Sequence, residues 1–505
     1  MKMKNVLMAS AYMVLGASFM TGFSACSDNE NTPEPEELSQ QEQALKAVIE
    51  DYVNKSVVPT YKGLADAAIE LADACRAMCN AGPSNLTEDM VKQAGEKWIT
   101  ARRYWELSEA WLYGAAADYN IDPHIDTWPL DKTAMENMLN NESQMAQMKD
   151  EESAATYVSN SLGQGLLGFH AIEYMLFEPA NATTDQTSPR PAGKFTANEL
   201  YYMAAVADDL RNQCVRLEIS WADEGTYSES SEKWTYLADA ELEPTFYYGE
   251  SMKNAGQGGS KYKSYAEAVQ ELLVGAQDIA DEVGGQKIGN PIGNGVENDA
   301  NYIESPYALN SITDFIDNLK SVRTAYMGYQ TENGVTENYI QPVEHSLSDY
   351  IKTVDPELDT KVINTIEGAI EAIGNMKEPF ASTARDPQYE QVNLAAQKAC
   401  QDVNDILDEV MNAIQAVIAR HHAGRHKAQH RADRAGQRGN IHKMRAALHS
   451  TVIGPAHDFP GCTQHGAPFA KSSQSKSFEM TYPSFITDSM LFYEKNLFAQ
   501  YTITH

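Results

Sequence analysis

Leu162–Phe177 reads LGQGLLGFHAIEYMLF. The stretch holds no proline, and at 3.6 residues per turn its apolar side chains fall on every face, which predicts a helix packed on all sides within a core. Only His170 and Glu173 ionise there near neutral pH. Their i,i+3 spacing places them side by side on one helical face. Burying an imidazole and a carboxylate costs several kcal/mol or shifts their pKa values unless each finds a cation, a metal or hydrogen-bond donors. Distant segments must therefore supply partners. Gly165 and Gly168 weaken the helix by ~1 kcal/mol each but let another backbone or a ligand come close. The pair by itself offers at most two ligands, and no H-E-x-x-H zinc-protease motif occurs in the chain. The plain alternative is a buried His–Glu hydrogen bond that only satisfies itself.

A chain of 505 residues, 43% of them hydrophobic, has room for two or three domains with real cores. Its net charge of −32 repels nucleic acid and attracts cations. Residues 1–25 read as an export signal: two lysines, an apolar run from Val6 to Met20 too short to span a bilayer, then small residues. Phe23-Ser24-Ala25-Cys26 resembles a bacterial lipoprotein box, with Cys26 the lipidated residue, and residues 26–40 form an acidic tether of the kind that displays lipoproteins at the cell surface. Cys75 and Cys79, one helical turn apart, read as core thiols rather than a disulfide or metal clip.

The rest of the pattern is helical. A first helix carries Ala44, Val48 and Tyr52, and Val57-Val58-Pro59 breaks it; a second runs from about Tyr61 to Asn80 and stops at Gly82-Pro83. Thr87 caps a third, with Trp98, Ala101, Trp105 and Leu112 on its buried face and Arg102 and Glu109 at that face's edge. The loop Asp118–Asp131 crowds carboxylates around His124, and Asp122, His124 and Asp126 at alternating positions are candidates to meet a cation. Thr196 with Glu199 predicts a capping box. A helix from about Lys261 ends at Gly284-Gly285, a loop follows from Gln286 to Glu304, and Ser305-Pro306, Asp355-Pro356 and Asp386-Pro387 start three further helices. In the first of these Ser311, Asp314 and Asn318 line a polar stripe beside the apolar one. No period-2 pattern appears, so the class is all-α, with about ten helices.

Taken in order, Trp98, Ala101-Arg102, Tyr104, Glu109 and Gly114, then Trp128-Pro129-Leu130-Asp131, then Gly168-Phe169-His170-Ala171-Ile172-Glu173-Tyr174, and finally Glu304-Ser305-Pro306, Asn310-Ser311, Asp314, Asn318 and Tyr326–Gly328 resemble the imelysin family and its G-x-H-x-x-E motif. The resemblance spans roughly residues 40–418. It implies two helical-bundle halves, residues 41–180 and 181–418, with a pocket at their interface. It also implies an exported or lipid-anchored protein of the outer membrane, on its periplasmic or cell-surface side, that works with components of bacterial iron uptake. Carried over residue by residue, His170, Glu173 and Glu109 become metal ligands. Gly168, Arg102, Trp128, Asp131, Ser305, Ser311, Asp314 and Asn318 become the surrounding pocket. Imidazole and carboxylate donors without thiolates suit iron, bare or as a chelate. The expected role is non-enzymatic metal binding; the alternative is a metallopeptidase at the same His/Glu site, in line with an old label of the family.

Residues 419–505 depart from this pattern. Arg420–His449 holds eight Lys/Arg and six His against one acid, Asp433, in a chain that is otherwise strongly acidic. Histidine-rich tracts bind metal, yet the amphipathic period of the preceding helix stops near Ile418, as it would where a reading frame shifts. The tail is expected to be poorly ordered.

Overall fold

The computed structural model describes residues 38–177, 188–328 and 342–450, with side chains as far as Arg420. Among them every regular element is a helix, and the lone extended contact is an isolated antiparallel bridge between Phe177 and Pro189. The described residues up to Ala428 gather into one compact unit, which holds the core and the site. No described helix is long and apolar enough to cross a membrane. Expectations for the leader, Cys26 and most of the tether, and for residues 451–505, lie outside the described residues.

The helices outnumber the ten expected because many are one or two turns long. Caps fall where the side chains predict them. Thr87 accepts from the Met90 amide at 3.2 Å, Thr196 and Glu199 close a full capping box, and Asp355 accepts from the Leu358 amide at 3.0 Å. Chain breaks behave differently. At Val57-Val58-Pro59 the helix does not stop: a π-turn over Tyr52–Val57 leads straight into the Val58–Asn85 helix. Proline is tolerated in a first turn, where its missing N–H is no loss. Gly284-Gly285 likewise sit in a π-turn, Val283–Ile288, between the Tyr265–Glu282 and Gly289–Ile292 helices. A Cβ on Gly284 would stand 3.0 Å from the Cys400 Cβ, so that glycine serves close packing and not termination.

Three helices start later than predicted: Asp386-Pro387 form a turn closed by the Tyr389 amide donating to the Asp386 carbonyl at 2.9 Å, and the helix begins at Glu390. Leu162–Phe177 is not one helix: Gln164–Leu166 makes a 3-10 turn, Leu167 is extended, and the helix is Gly168–Leu176. Ser305-Pro306 opens a loop instead of a helix, with Ser305 and Leu309 at φ +48° and +55°, and the helix begins at Ser311 and runs to Met327. The third helix ends earlier, at Glu106, so Glu109 lies in the 3-10 turn Glu109–Trp111. The last helix, Glu390–Ser450, continues past Ile418; alanine, arginine, lysine and glutamine form helix well without an amphipathic pattern.

The Ala197–Trp221 helix packs along Val58–Asn85, which in turn packs on Glu88–Glu106. Trp98, Trp105, Phe169, Leu176, Phe315 and Leu319 belong to one apolar core, and truncating one of these tryptophans to alanine would cost about 3–5 kcal/mol. Gly168–Leu176 is buried at every position except Tyr174. The prediction of a helix packed on all sides holds for those nine residues.

Candidate metal centre

Gly168 sets the register of the site. It lies at φ +70°, and a Cβ there would come within 1.9 Å of the Ile125 carbonyl oxygen. The helix N-terminus is thereby pressed against the short Asp122–Ile125 helix, and the Trp98 indole pins it by donating to the Phe169 carbonyl at 2.9 Å. Asp126, the next residue along, then stands beside His170: its Oδ1 is 3.2 Å from Nε2, while Glu173 Oε2 is 3.2 Å from Nδ1. Burial alone would lower the pKa of the imidazole, but the neighbouring carboxylates of Asp126 and Glu173 outweigh it and hold the pKa up to about 9. To act as a ligand the ring must first give up a proton.

Glu173 reaches into the second half of the chain. Its Oε1 accepts from the backbone amides of Tyr307 and Ala308, both at 2.8 Å. The left-handed residues Ser305 and Leu309 bracket those two amides. Each such non-glycine conformation costs roughly 1–2 kcal/mol, offset here by two hydrogen bonds to a buried carboxylate. Glu173 thus orients His170 and clasps the loop, with both oxygens engaged.

Behind the pair lies a buried lattice of charge. Arg102 bonds Glu106 and Asp126, reaches Glu304 Oε1 at 2.8 Å, and approaches Asp314 at 3.6 Å. Asp126 also accepts from the Trp105 indole at 2.8 Å, and its pKa is held far below the usual carboxylate range because Arg102 and His170 overcome the penalty of burial. Lys287 contacts Glu109 at 2.9 Å, Glu304 at 3.0 Å, Glu106 at 3.6 Å and the Asn318 Oδ1 at 3.1 Å. Asn318 Nδ2 donates to Glu109 at 2.8 Å. Burial raises Glu106 and Glu109 well above the ordinary glutamate value; Arg102 and Lys287 oppose this at Glu106, while Glu106 adds to it at Glu109. Asp314 is pushed up to about 7 by burial, against the pull of Arg102.

Asp126, His170 and Glu304 each present one ligand atom, all within 4.8 Å of one another; Glu106, Glu109 and Asp126 form a second such group. Glu304 Oε2 is buried with no hydrogen-bond partner. The residues present thus fit a metal at the His170 group: one nitrogen, carboxylate oxygens, and an oxygen that nothing donates to.

The expected residues are distributed unevenly around this centre. His170, Glu173, Arg102 and Asp314 come together, Asn318 sits beside Lys287 and Glu109, and Trp128 packs over the imidazole with ring centroids 6.3 Å apart. Glu109 is buried but belongs with Lys287, not with His170. Arg102 and Glu109, placed by their pattern at a helix edge, are buried. Ser311 is buried and donates to the Glu304 carbonyl, and Ser305 shapes the loop. Asp131 is exposed, its Oδ1 capping the Lys132–Leu139 helix through the Ala134 amide at 2.9 Å, and it takes no part in the centre. The Asp122, His124, Asp126 alternation does not converge either: His124 turns to Asp209 at 2.7 Å, and only Asp126 joins the centre. Sequence reasoning gave no site role to Lys287, Glu304 or Glu106. Glu106 was findable, four residues after Arg102 on the Trp98–Trp105 face.

A cavity of about 480 Å³ opens over the centre, lined by Trp128–Leu130, Lys132, His170 and Glu173 on one side and Ala300, Asn301, Ile303, Pro306, Tyr307 and Ala381 on the other.

Fold and site together define an all-helical protein with a single-histidine, carboxylate-rich centre sunk in its core. The chain belongs to the imelysin family: the family model for imelysin, peptidase M75, matches residues 57–410. It is similar to iron-regulated protein A of Synechococcus elongatus, 25% identical over 378 residues that cover 74% of this chain and 89% of the relative. A crystal structure described as a presumed iron-regulated protein A precursor of Parabacteroides distasonis is 26% identical, with a TM-score of 0.60 over 76% of this chain and 99% of that one. An imelysin-like protein from Psychrobacter arcticum aligns at 13% identity and a TM-score of 0.41, covering 75% of this chain and 94% of that one.

Proposed function

We propose that this chain is an exported, lipid-anchored protein that binds a metal ion, iron, at the His170 end of its buried centre and serves bacterial iron uptake. The observation that carries the reading is the convergence of Asp126, His170 and Glu304, together with the unpartnered Glu304 oxygen. A donor set of one imidazole and hard oxygens, without thiolate, suits iron. The relatives named iron-regulated protein A support the element. Cys26 after its short apolar leader supports the anchor, and with it a place at the outer membrane.

Compared with the original expectation, Glu173 holds the histidine instead of serving as a ligand, a common arrangement around metal-binding imidazoles. The peptidase alternative asks Glu173 or Glu109 to activate water. Glu173 has both oxygens engaged, and Glu109 is held by Lys287 and Asn318.

The test is metal analysis and anaerobic ferrous titration of the mature chain beside His170→Ala and Glu304→Gln. Each variant is expected to lose at least tenfold in affinity. A second reading rests on its own observation: Arg102 and Lys287 already contact Glu106 and Glu304, which a purely structural ion lattice would also show. Under that reading both variants lose stability and metal uptake does not change.

A further inference from the structure

We propose that the cavity above His170 admits the metal as a chelate with a small polycarboxylate, and that Lys132 at the cavity wall pairs with a carboxylate of that chelator. The proposal rests on the metal reading above and adds the chemical form of the cargo. Three observations carry it.

The first is size. At about 480 Å³ the cavity falls in the range of small-molecule sites and far exceeds a bare ion. The second is lining. Trp128, Pro129, Ile303, Pro306 and Tyr307 give apolar walls, and few polar groups converge, as in organic-ligand sites rather than ion cages. The third is Lys132. Its ammonium lies 4.9 Å from the Tyr307 ring centroid and 5.7 Å from that of Tyr174, and those two rings meet edge to face at 5.1 Å.

Several lysines of this acidic chain sit on carboxylates, as Lys97 does on Glu70 at 2.7 Å and Lys361 on Glu409 at 2.6 Å, while Lys149, like Lys132, lies over a tyrosine ring. Lys132, among the described residues, is held by ring faces and has no ion-pair partner. Aromatic faces attract an ammonium without consuming its N–H donors, so they remain free for an anionic guest. The chain as a whole attracts cations, but within contact range of the Lys132 ammonium a carboxylate of an anionic chelate is favoured over a naked cation. Lys132 and His170 line the same cavity, so one guest of modest size can touch both.

The experiment is calorimetric titration of the mature chain with three probes: ferrous ion alone without oxygen, citrate alone, and ferric citrate. Intrinsic tryptophan fluorescence, to which Trp128 at the cavity wall contributes, serves as a second readout. In the wild type ferric citrate is expected to bind more tightly than citrate. Lys132→Glu should weaken ferric citrate by roughly tenfold, about 1.4 kcal/mol, leave ferrous affinity within twofold, and be rescued in Lys132→Arg. Because Lys132 is exposed on a first helical turn, the variants should fold normally. Ferric citrate binding untouched by Lys132→Glu, or lowered in step with ferrous binding, overturns the proposal. Ferrous binding without ferric citrate binding overturns it too and leaves the metal reading standing. If ferrous ion does not bind but ferric citrate binds in a Lys132-dependent way, the chelate proposal stands and iron is taken only in its chelated form. Absence of binding by all three probes removes both.

Discussion

The two ends of the buried charge lattice use similar side chains to different effect. At the Lys287 end an ammonium sits among Glu106, Glu109 and Glu304 with Asn318 behind it, occupying the place a second cation would take. At the His170 end Glu304 keeps one oxygen without a donor, and a cavity opens overhead. The chain brings its own cation to both ends, Lys287 to one and Arg102 to the other, so the His170 end is set apart by its imidazole and by the Glu304 oxygen that has no donor. Carboxylate count alone therefore does not mark a candidate cation site.

The largest effect should come from Arg102, which contacts both ends. Arg102→Met strands several buried carboxylates and is expected to lower stability by about 3–5 kcal/mol, read by chemical denaturation. A loss within 1 kcal/mol would mean that the ends do not share this guanidinium. Gly168→Ala comes next. A Cβ 1.9 Å from the Ile125 oxygen at φ +70° should cost about 2–4 kcal/mol and weaken metal binding by separating Asp126 from His170, while the Lys287 end stays intact.

A smaller effect depends on pH. Asp122 lines a cavity of about 310 Å³ with Glu109 and Glu282 on the Lys287 side, and burial, reinforced by Asp126 and Glu282, pushes its pKa up to about 7. Its folded value lies above its unfolded one, so its contribution to stability is complete below about pH 4 and is lost as pH rises through 7. Asp122→Asn should match the wild type at pH 4 and exceed it at pH 8 by on the order of 1–2 kcal/mol. A thermal-melt pH series checks the sign. The smallest effect belongs to Asp131→Ala, which removes a cap worth ~1 kcal/mol and should leave metal affinity unchanged, since the residue stands outside both ends.

Caps, the all-helical class and the His170–Glu173 pair were legible because each rests on local spacing. Thr87, Thr196 and Asp355 needed nothing beyond the next three residues. Lys287 was not legible for the opposite reason. Gly284-Gly285 reads as a stop, but Gly284 packs closely on the Glu390–Ser450 helix and the segment forms a π-turn in which Lys287 is buried. Ser305-Pro306 failed similarly: a capping serine and a first-turn proline suit a helix start, but the demand of buried Glu173 for two amides bends the chain into a loop first. Asp126 shows a partial success. Its loop stood out as carboxylate-rich, yet which acid would turn inward depended on where Gly168 docks.

The clasp between Glu173 and the amides of Tyr307 and Ala308 joins positions more than 130 residues apart. During synthesis, a nascent chain that has just passed Phe177 carries Asp126, His170 and Glu173, but Glu304 and the Tyr307 and Ala308 amides have not yet been made. Assembly of the centre is therefore a late event, tied to completion of the fold. A chain truncated before Glu304 would leave Glu173 without its two amide donors and the buried centre incomplete.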